Sequence, residues 1–197
     1  KNNNMQTNLL IVDNFYNEPD EIRKYALAQD FSVRGNYPGQ RTKPVHHWDC
    51  QEVIQRIIQF HGGEITFFED DYTSAFQYTT KHDSSWIHAD QTTTWAGVWY
   101  GTPNAPATGG TGLFRHKETG WESAPRLKDG SYDQKGLDII NADARNMEAW
   151  EMTAMTAPIY NRLVLYRGDM FHTSLDYFGN DKHDGRLFQT FFFDTQY

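Results

Sequence analysis

Past Gly62-Gly63 the apolar residues stop recurring at helical spacing and arrive in short runs broken by polar turns. That switch constrains the fold more than any other feature of the chain. Before it, Ile22, Tyr25 and Ala26 fall on one helical face, as do Val53, Ile54, Ile57 and Ile58. Asn17-Glu18-Pro19-Asp20 is a helix start, with proline in the first turn and acids beside the positive end of the helix dipole. The spacing predicts helices over 20–29 and 49–60, the second capped by Asp49 and stopped by the glycine pair. Leu9 to Val12 reads as a strand, and 33–44, with Gly35, Pro38, Gly39 and Pro44, reads as a loop.

After the switch, strands are predicted over 65–68, 74–79, 86–90, 94–100, 112–117, 152–157, 161–166, 170–174 and 187–193. The Gly- and Pro-rich stretch 101–112 and the polar stretch 128–141 read as loops long enough to cover a pocket mouth, and 143–150 as a short helix. Helices first and many short strands after, without repeats, predict a mainly β (α+β) chain, a sandwich or jelly roll with a helical flank, not alternating βαβ units. We expect one domain over 1–197, with a helical N-terminal flank (1–64) buttressing a β core (65–197). A chain of 197 residues buries about 70% of its unfolded surface and needs no metal or disulfide in order to fold.

Net charge is −8, which disfavours nucleic acid or an anionic membrane surface as a partner. No apolar run approaches the ~20 residues of a membrane span, and the stretch from Lys1-Asn2-Asn3-Asn4 lacks the long apolar segment expected of a signal peptide. The lone Cys50 suits a reducing compartment. The expectation is a cytoplasmic protein without nucleic-acid or membrane partners; a homodimer is compatible with it.

Chemistry concentrates in Trp86-Ile87-His88-Ala89-Asp90. On an extended backbone, side chains alternate faces, so His88 and Asp90 project together. With one more imidazole they form a 2-His-1-carboxylate facial triad, a ligand set that suits Fe(II) and leaves adjacent positions open. His172 in Gly168-Asp169-Met170-Phe171-His172 supplies it. Gly185-Arg186-Leu187-Phe188 then opens the last apolar run, and an arginine offers a planar fork for a carboxylate. The other histidines, His46, His47, His61, His82, His116 and His183, sit in no comparable arrangement.

These pieces, in this order, resemble the Fe(II)- and 2-oxoglutarate-dependent oxygenases, in particular their prolyl-hydroxylase-like branch. The opening Val12-Asp13-Asn14-Phe15-Tyr16, Pro19-Asp20-Glu21-Ile22-Arg23 and Tyr37-Pro38-Gly39-Gln40-Arg41 resemble an uncharacterised bacterial and phage subfamily of them. The resemblance implies a double-stranded β-helix of cupin type and a requirement for Fe(II), 2-oxoglutarate and O2 in a bacterium or a phage-infected cell. It implies metal ligation by His88, Asp90 and His172, and a grip on the cosubstrate's distal carboxylate by Arg186. Tyr78 resembles a tyrosine that bonds this carboxylate. Where relatives carry serine or threonine two positions after the arginine, this chain has Phe188, and Thr190 on the same face is the substitute. Arg115 and His116 follow a glycine-rich stretch after which relatives line the substrate side. The implied reaction is hydroxylation of an unactivated C–H bond, with release of succinate and CO2. Relatives that halogenate have a small residue in the carboxylate's place, which Asp90 fills here. A small molecule or peptide, with a prolyl or free amino-acid group first, is the expected substrate. The alternatives are a cupin-type metalloprotein that does not use 2-oxoglutarate and a non-catalytic jelly-roll binding domain.

Overall fold

The computed structural model describes residues 5–45 and 50–196. In chain order the elements are β1 (Leu9–Val12), α1 (Pro19–Leu27), β2 (Gln40–Arg41), α2 (Cys50–Ile58), β3 (Glu64–Phe68), β4 (Phe76–Thr79), β5 (Trp95–Tyr100), β6 (Thr111–His116), α3 (Gln134–Asp143), β7 (Trp150–Thr156), β8 (Leu163–Arg167), β9 (His172–Ser174) and β10 (Arg186–Gln196). The helix α1 opens on Pro19, whose missing N–H costs nothing in a first turn, and buries Ile22 and Ala26, one turn apart. At the same spacing α2 buries Cys50, Ile54 and Ile58. Its expected cap, Asp49, lies outside the described residues, as do His46 and His47.

Seven strands form one sheet in the order β1-β8-β5-β10-β4-β2, with β3 also on β10. The long β10 makes this possible. One of its edges carries β4 against Arg186–Gln189 and β3 against Phe193–Gln196, while the other carries β5. Side chains along it alternate. Leu187, Phe191 and Phe193 join Trp95, Trp99, Ile54 and Ile58 in the core under the helices. Phe188 faces the other way, with Val98, Tyr166 and Leu113, into the space between the two sheets. The second sheet has the order β7-β6-β9. A third apolar cluster, with Ile87, Phe114, Ile140, Trp150 and Phe171, backs it and takes in α3. Two antiparallel sheets face to face, with α1 and α2 outside the large one and α3 outside the small one, are the expected jelly roll.

Three local expectations change. The stretch 128–141 is not irregular, because α3 starts inside it on Asp133, whose carboxylate accepts from the Lys135 N–H. Only Leu137 and Ile140 repeat at helical spacing there, too thin a signal to read beforehand. The loop 33–44 contains β2, two residues paired to β4, so the flank gives β1 and β2 to the large sheet as well as two helices. The stretch 86–90 is not a full strand but a single antiparallel bridge, His88 to His172. No helix among the described residues is long and apolar enough to cross a membrane.

Candidate active site

That one bridge builds the centre of the site. The His88 N–H donates to the His172 carbonyl (3.1 Å) and the His172 N–H donates back (2.9 Å). Partners that exchange both bonds project their side chains to one side, and the two imidazole centroids are 4.5 Å apart. Each ring is oriented by its own backbone. Nδ1 of His88 donates to the Trp86 carbonyl (2.9 Å) and Nδ1 of His172 to the Met170 carbonyl (2.7 Å). A carbonyl only accepts, so in the neutral imidazole the ring proton sits on Nδ1 and Nε2 presents a lone pair. Burial pulls the His172 pKa down from 6.5 to about 4, with Asp90 opposing the shift, so the imidazole is neutral near pH 7 and available as a ligand.

Asp90 is held by its N–H on the Gly168 carbonyl (2.7 Å). Gly168 is needed for close approach: a Cβ there would lie 2.5 Å from the Thr93 carbonyl oxygen. One Asp90 oxygen is 3.8 Å from His88 Nε2, the other 3.4 Å from His172 Nε2. The three ligand atoms lie within 4.8 Å of one another, the single such group of histidine, cysteine and acidic side chains among the described residues. Adjacent octahedral ligands with ~2.1 Å bonds stand ~3 Å apart, so small side-chain adjustments would bring the triad onto one ion.

Arg186 starts β10 and is 1% exposed. Its Nε donates to the Gly109 carbonyl (2.8 Å), and Nη2 to the Gly110 carbonyl (3.2 Å) and Thr111 Oγ1 (3.4 Å). The 101–112 loop thus fixes this guanidinium from behind. Nη1 is buried with no hydrogen-bond partner among the described residues. A buried, charged donor left unpaired is costly, and a carboxylate would satisfy it. Thr190 lines the same cavity of about 470 Å³ as the triad and Arg186, but its hydroxyl already donates to the Tyr72 carbonyl (2.7 Å).

Three expected contacts lie elsewhere. Tyr78 pairs with Leu187, which puts it on the helix side of the sheet against Phe31, 5.0 Å between centroids. Its neighbour Gln77 faces the cavity instead, as strand alternation requires. Arg115 is half-exposed in ion pairs with Glu122 and Glu151. His116 is fully buried behind the small sheet, on Asp143 (2.9 Å) and Thr119 (3.0 Å), with Trp150 beside it. The structure adds Tyr166, which lines the cavity with its ring 4.7 Å from that of His172. Burial, helped by the charge of Asp90, raises its pKa well above the ordinary value, so the phenol stays protonated. In the sequence it is the last residue of an apolar run, where only the register shows which way it points.

The whole of this site falls within residues 1–193, which match the model of DUF6445, a family of unknown function. This chain belongs to DUF6445. No curated protein sequence matches it. Solved structures resemble this DUF6445 member in fold. HygX from Streptomyces hygroscopicus, solved with nickel and 2-oxoglutarate bound, has a TM-score of 0.59 at 9% identity, covering 98% of this chain and 84% of HygX. SnoN, a non-heme α-ketoglutarate-dependent epimerase from nogalamycin biosynthesis, gives 0.55 at 13%, covering 95% and 79%. A Trichoplax adhaerens prolyl hydroxylase in complex with a hypoxia-inducible-factor peptide gives 0.50 at 12%, covering 94% and 83%. At such identities the likeness concerns the fold, the jelly roll of 2-oxoglutarate oxygenases.

Proposed function

We propose that this DUF6445 member is an Fe(II)- and 2-oxoglutarate-dependent hydroxylase. One observation carries the reading: the convergent His88, Asp90 and His172 share a cavity with the unpaired Nη1 of a fully buried arginine. A metal-binding jelly roll that did without 2-oxoglutarate would have no use for that guanidinium, and a non-catalytic domain would have no use for the triad.

Iron held by His88, Asp90 and His172 would supply the redox chemistry. The protein's own contribution is position. His88 and His172 would offer Nε2 to the ion, and Asp90 would offer a carboxylate oxygen. Arg186 receives the far carboxylate between the rings of Phe188 and Tyr100, where water competes little. Tyr166, protonated and on the same wall, is placed to donate a second hydrogen bond. HygX, solved with nickel and 2-oxoglutarate bound, lends support by its fold.

The overall reaction combines 2-oxoglutarate, O2 and a substrate C–H to give succinate, CO2 and the alcohol. Asp90 fills the corner that a halide would need, so chlorination is not expected. Incubation with Fe(II), 2-oxoglutarate and ¹⁸O2 should yield labelled succinate even in slow uncoupled turnover. Calorimetry on Ni(II)-loaded protein should show 2-oxoglutarate binding that Arg186→Gln weakens about 100-fold, as loss of a buried, charge-assisted hydrogen bond requires. Equal affinity in the two proteins would refute the reading.

A further inference from the structure

The motif Tyr37-Pro38-Gly39-Gln40-Arg41 does nothing for iron or 2-oxoglutarate in the proposal above, yet every residue of it is committed. Gln40 and Arg41 are β2, paired to Tyr78 and Gln77. Gly39 has φ 76°, and a Cβ there would lie 2.0 Å from the Tyr78 carbonyl oxygen, so only glycine lets the turn rest on β4. The Pro38 carbonyl accepts from Gln77 Nε2 (2.6 Å). All of this aims one side chain. Arg41 is 6% exposed and lines the cavity that holds the triad.

The Arg41 guanidinium is gripped on one edge only. Nε (2.8 Å) and Nη2 (2.6 Å) both donate to Oε1 of Gln77. Tyr37 stacks on it, 3.7 Å from Cζ to the ring centroid, and Tyr72 stands at 5.2 Å. Nη1 has no hydrogen-bond partner among the described residues, and the Tyr37 hydroxyl, on the same cavity, is buried without one. Among the described residues neither Arg41 nor Arg186 has an ion-pair partner there. The only carboxylate on the cavity wall is that of Asp90, among the described residues.

Charge then decides what is missing. A divalent ion, Asp90 and two guanidinium groups leave the wall with three positive charges. The dianion of 2-oxoglutarate removes two and is expected on Arg186. One positive charge remains, on Arg41, in a site where an uncompensated charge is costly. We infer that Arg41 and Tyr37 bind a single carboxylate of the substrate, so that the substrate of this site is a small carboxylic acid or the carboxylate end of a chain. A doubly charged phosphate would overshoot the balance. A cavity of about 470 Å³ shared with 2-oxoglutarate also limits what enters to a small molecule or a chain end. The inference rests on the oxygenase reading for the place of 2-oxoglutarate, and its test separates the two.

The test uses saturation-transfer NMR on the full chain loaded with Ni(II) and 2-oxoglutarate, with four probes: acetate, L-alanine, N-acetyl-L-alanine and N-acetyl-L-alaninamide. Acetate and at least one of the two acids should bind, and the neutral amide should not. A response from alanine points to a free amino acid, and one confined to N-acetylalanine points to a chain end. Arg41→Gln should weaken carboxylate binding about tenfold, since a charge-assisted bond becomes at best a neutral one. It should leave 2-oxoglutarate affinity within about threefold, since Arg186 is untouched. Tyr37→Phe keeps the ring on Arg41, removes a hydroxyl with no partner, and should weaken the acids about threefold; it keeps the inference testable should Arg41→Gln fold poorly. Acids that bind wild type and both variants equally, an amide that binds as well as the acids, or no carboxylate binding would overturn the inference. So would a loss of 2-oxoglutarate affinity in Arg41→Gln as large as in Arg186→Gln. Wild-type protein that ignores 2-oxoglutarate would sink the oxygenase reading instead. The Arg41 dependence of acetate binding to metal-free protein would still be read independently.

Discussion

The two sheets close in different ways. In the large sheet every residue of β10 has a strand partner on at least one edge, and the sheet's outer face rests on two helices through large buried side chains such as Trp95, Trp99 and Phe191. The small sheet has three strands, and beyond β9 it is extended by one bridge, at His88. The site lies between them, but its parts divide unequally. Arg186, Tyr166 and Thr190 come from the large sheet, and all three proposed metal ligands come from the thin margin of the small one or the turn beside it. The margin that lacks ladder bonds is the one an ion would tie together. A cosubstrate arginine needs a stiff wall, whereas ligands from two distant segments need a place where both can still settle around an ion.

The largest effect should come from the large sheet. Phe191→Ala removes a fully buried ring from the helix-side core and is expected to cost about 3–5 kcal/mol of unfolding free energy, measured by urea titration. At the small-sheet margin, His88→Ala truncates a side chain 35% exposed. It should change metal-free stability by no more than ~1 kcal/mol and weaken Ni(II) binding by at least about 100-fold, near 2.7 kcal/mol. If it unfolds the metal-free protein as Phe191→Ala does, the contrast between the sheets is wrong. A smaller effect sharpens the contrast. Adding Ni(II) should slow hydrogen exchange at the His88 and His172 amides about tenfold, ~1.4 kcal/mol of local opening, and leave amides in the middle of β10 unchanged. Equal protection across both sheets would mean that the margin is already as firm as the rest. The smallest effect separates two tyrosines. Tyr166→Phe should weaken 2-oxoglutarate about threefold to tenfold, the worth of one hydrogen bond, and Tyr78→Phe should leave it unchanged, because Tyr78 faces the helices.

What the sequence made legible follows from how far each inference depends on register. His88 and Asp90 needed only the two-residue alternation of an extended backbone, and they do project together even though the predicted strand shrinks to a bridge. The order of apolar runs was enough for the jelly roll. Tyr78 and Gln77 are adjacent in sequence and opposite in space, and nothing in a single chain says which of them meets the inner face of β10. His116 follows Arg115 on a strand with a bulge before it, so counting along the sequence could not say where either side chain would lie. Arg41 was hidden in another way. Its strand is two residues long inside a Gly- and Pro-rich stretch, so the local pattern reads as a loop, and only the pairing with β4 turns it inward.

The bridge between His88 and His172 also bears on time. The two residues are hydrogen-bonded neighbours that lie far apart along the chain, and contacts of that kind form only after the intervening segment has been arranged. An ion that needs both rings therefore has nothing to grip in the early folding steps. It would act on the finished molecule, as a clasp added last, and such late contacts slow unfolding without hastening folding. Adding or removing the ion should change how long the protein lasts once folded, and hardly change how fast it gets there.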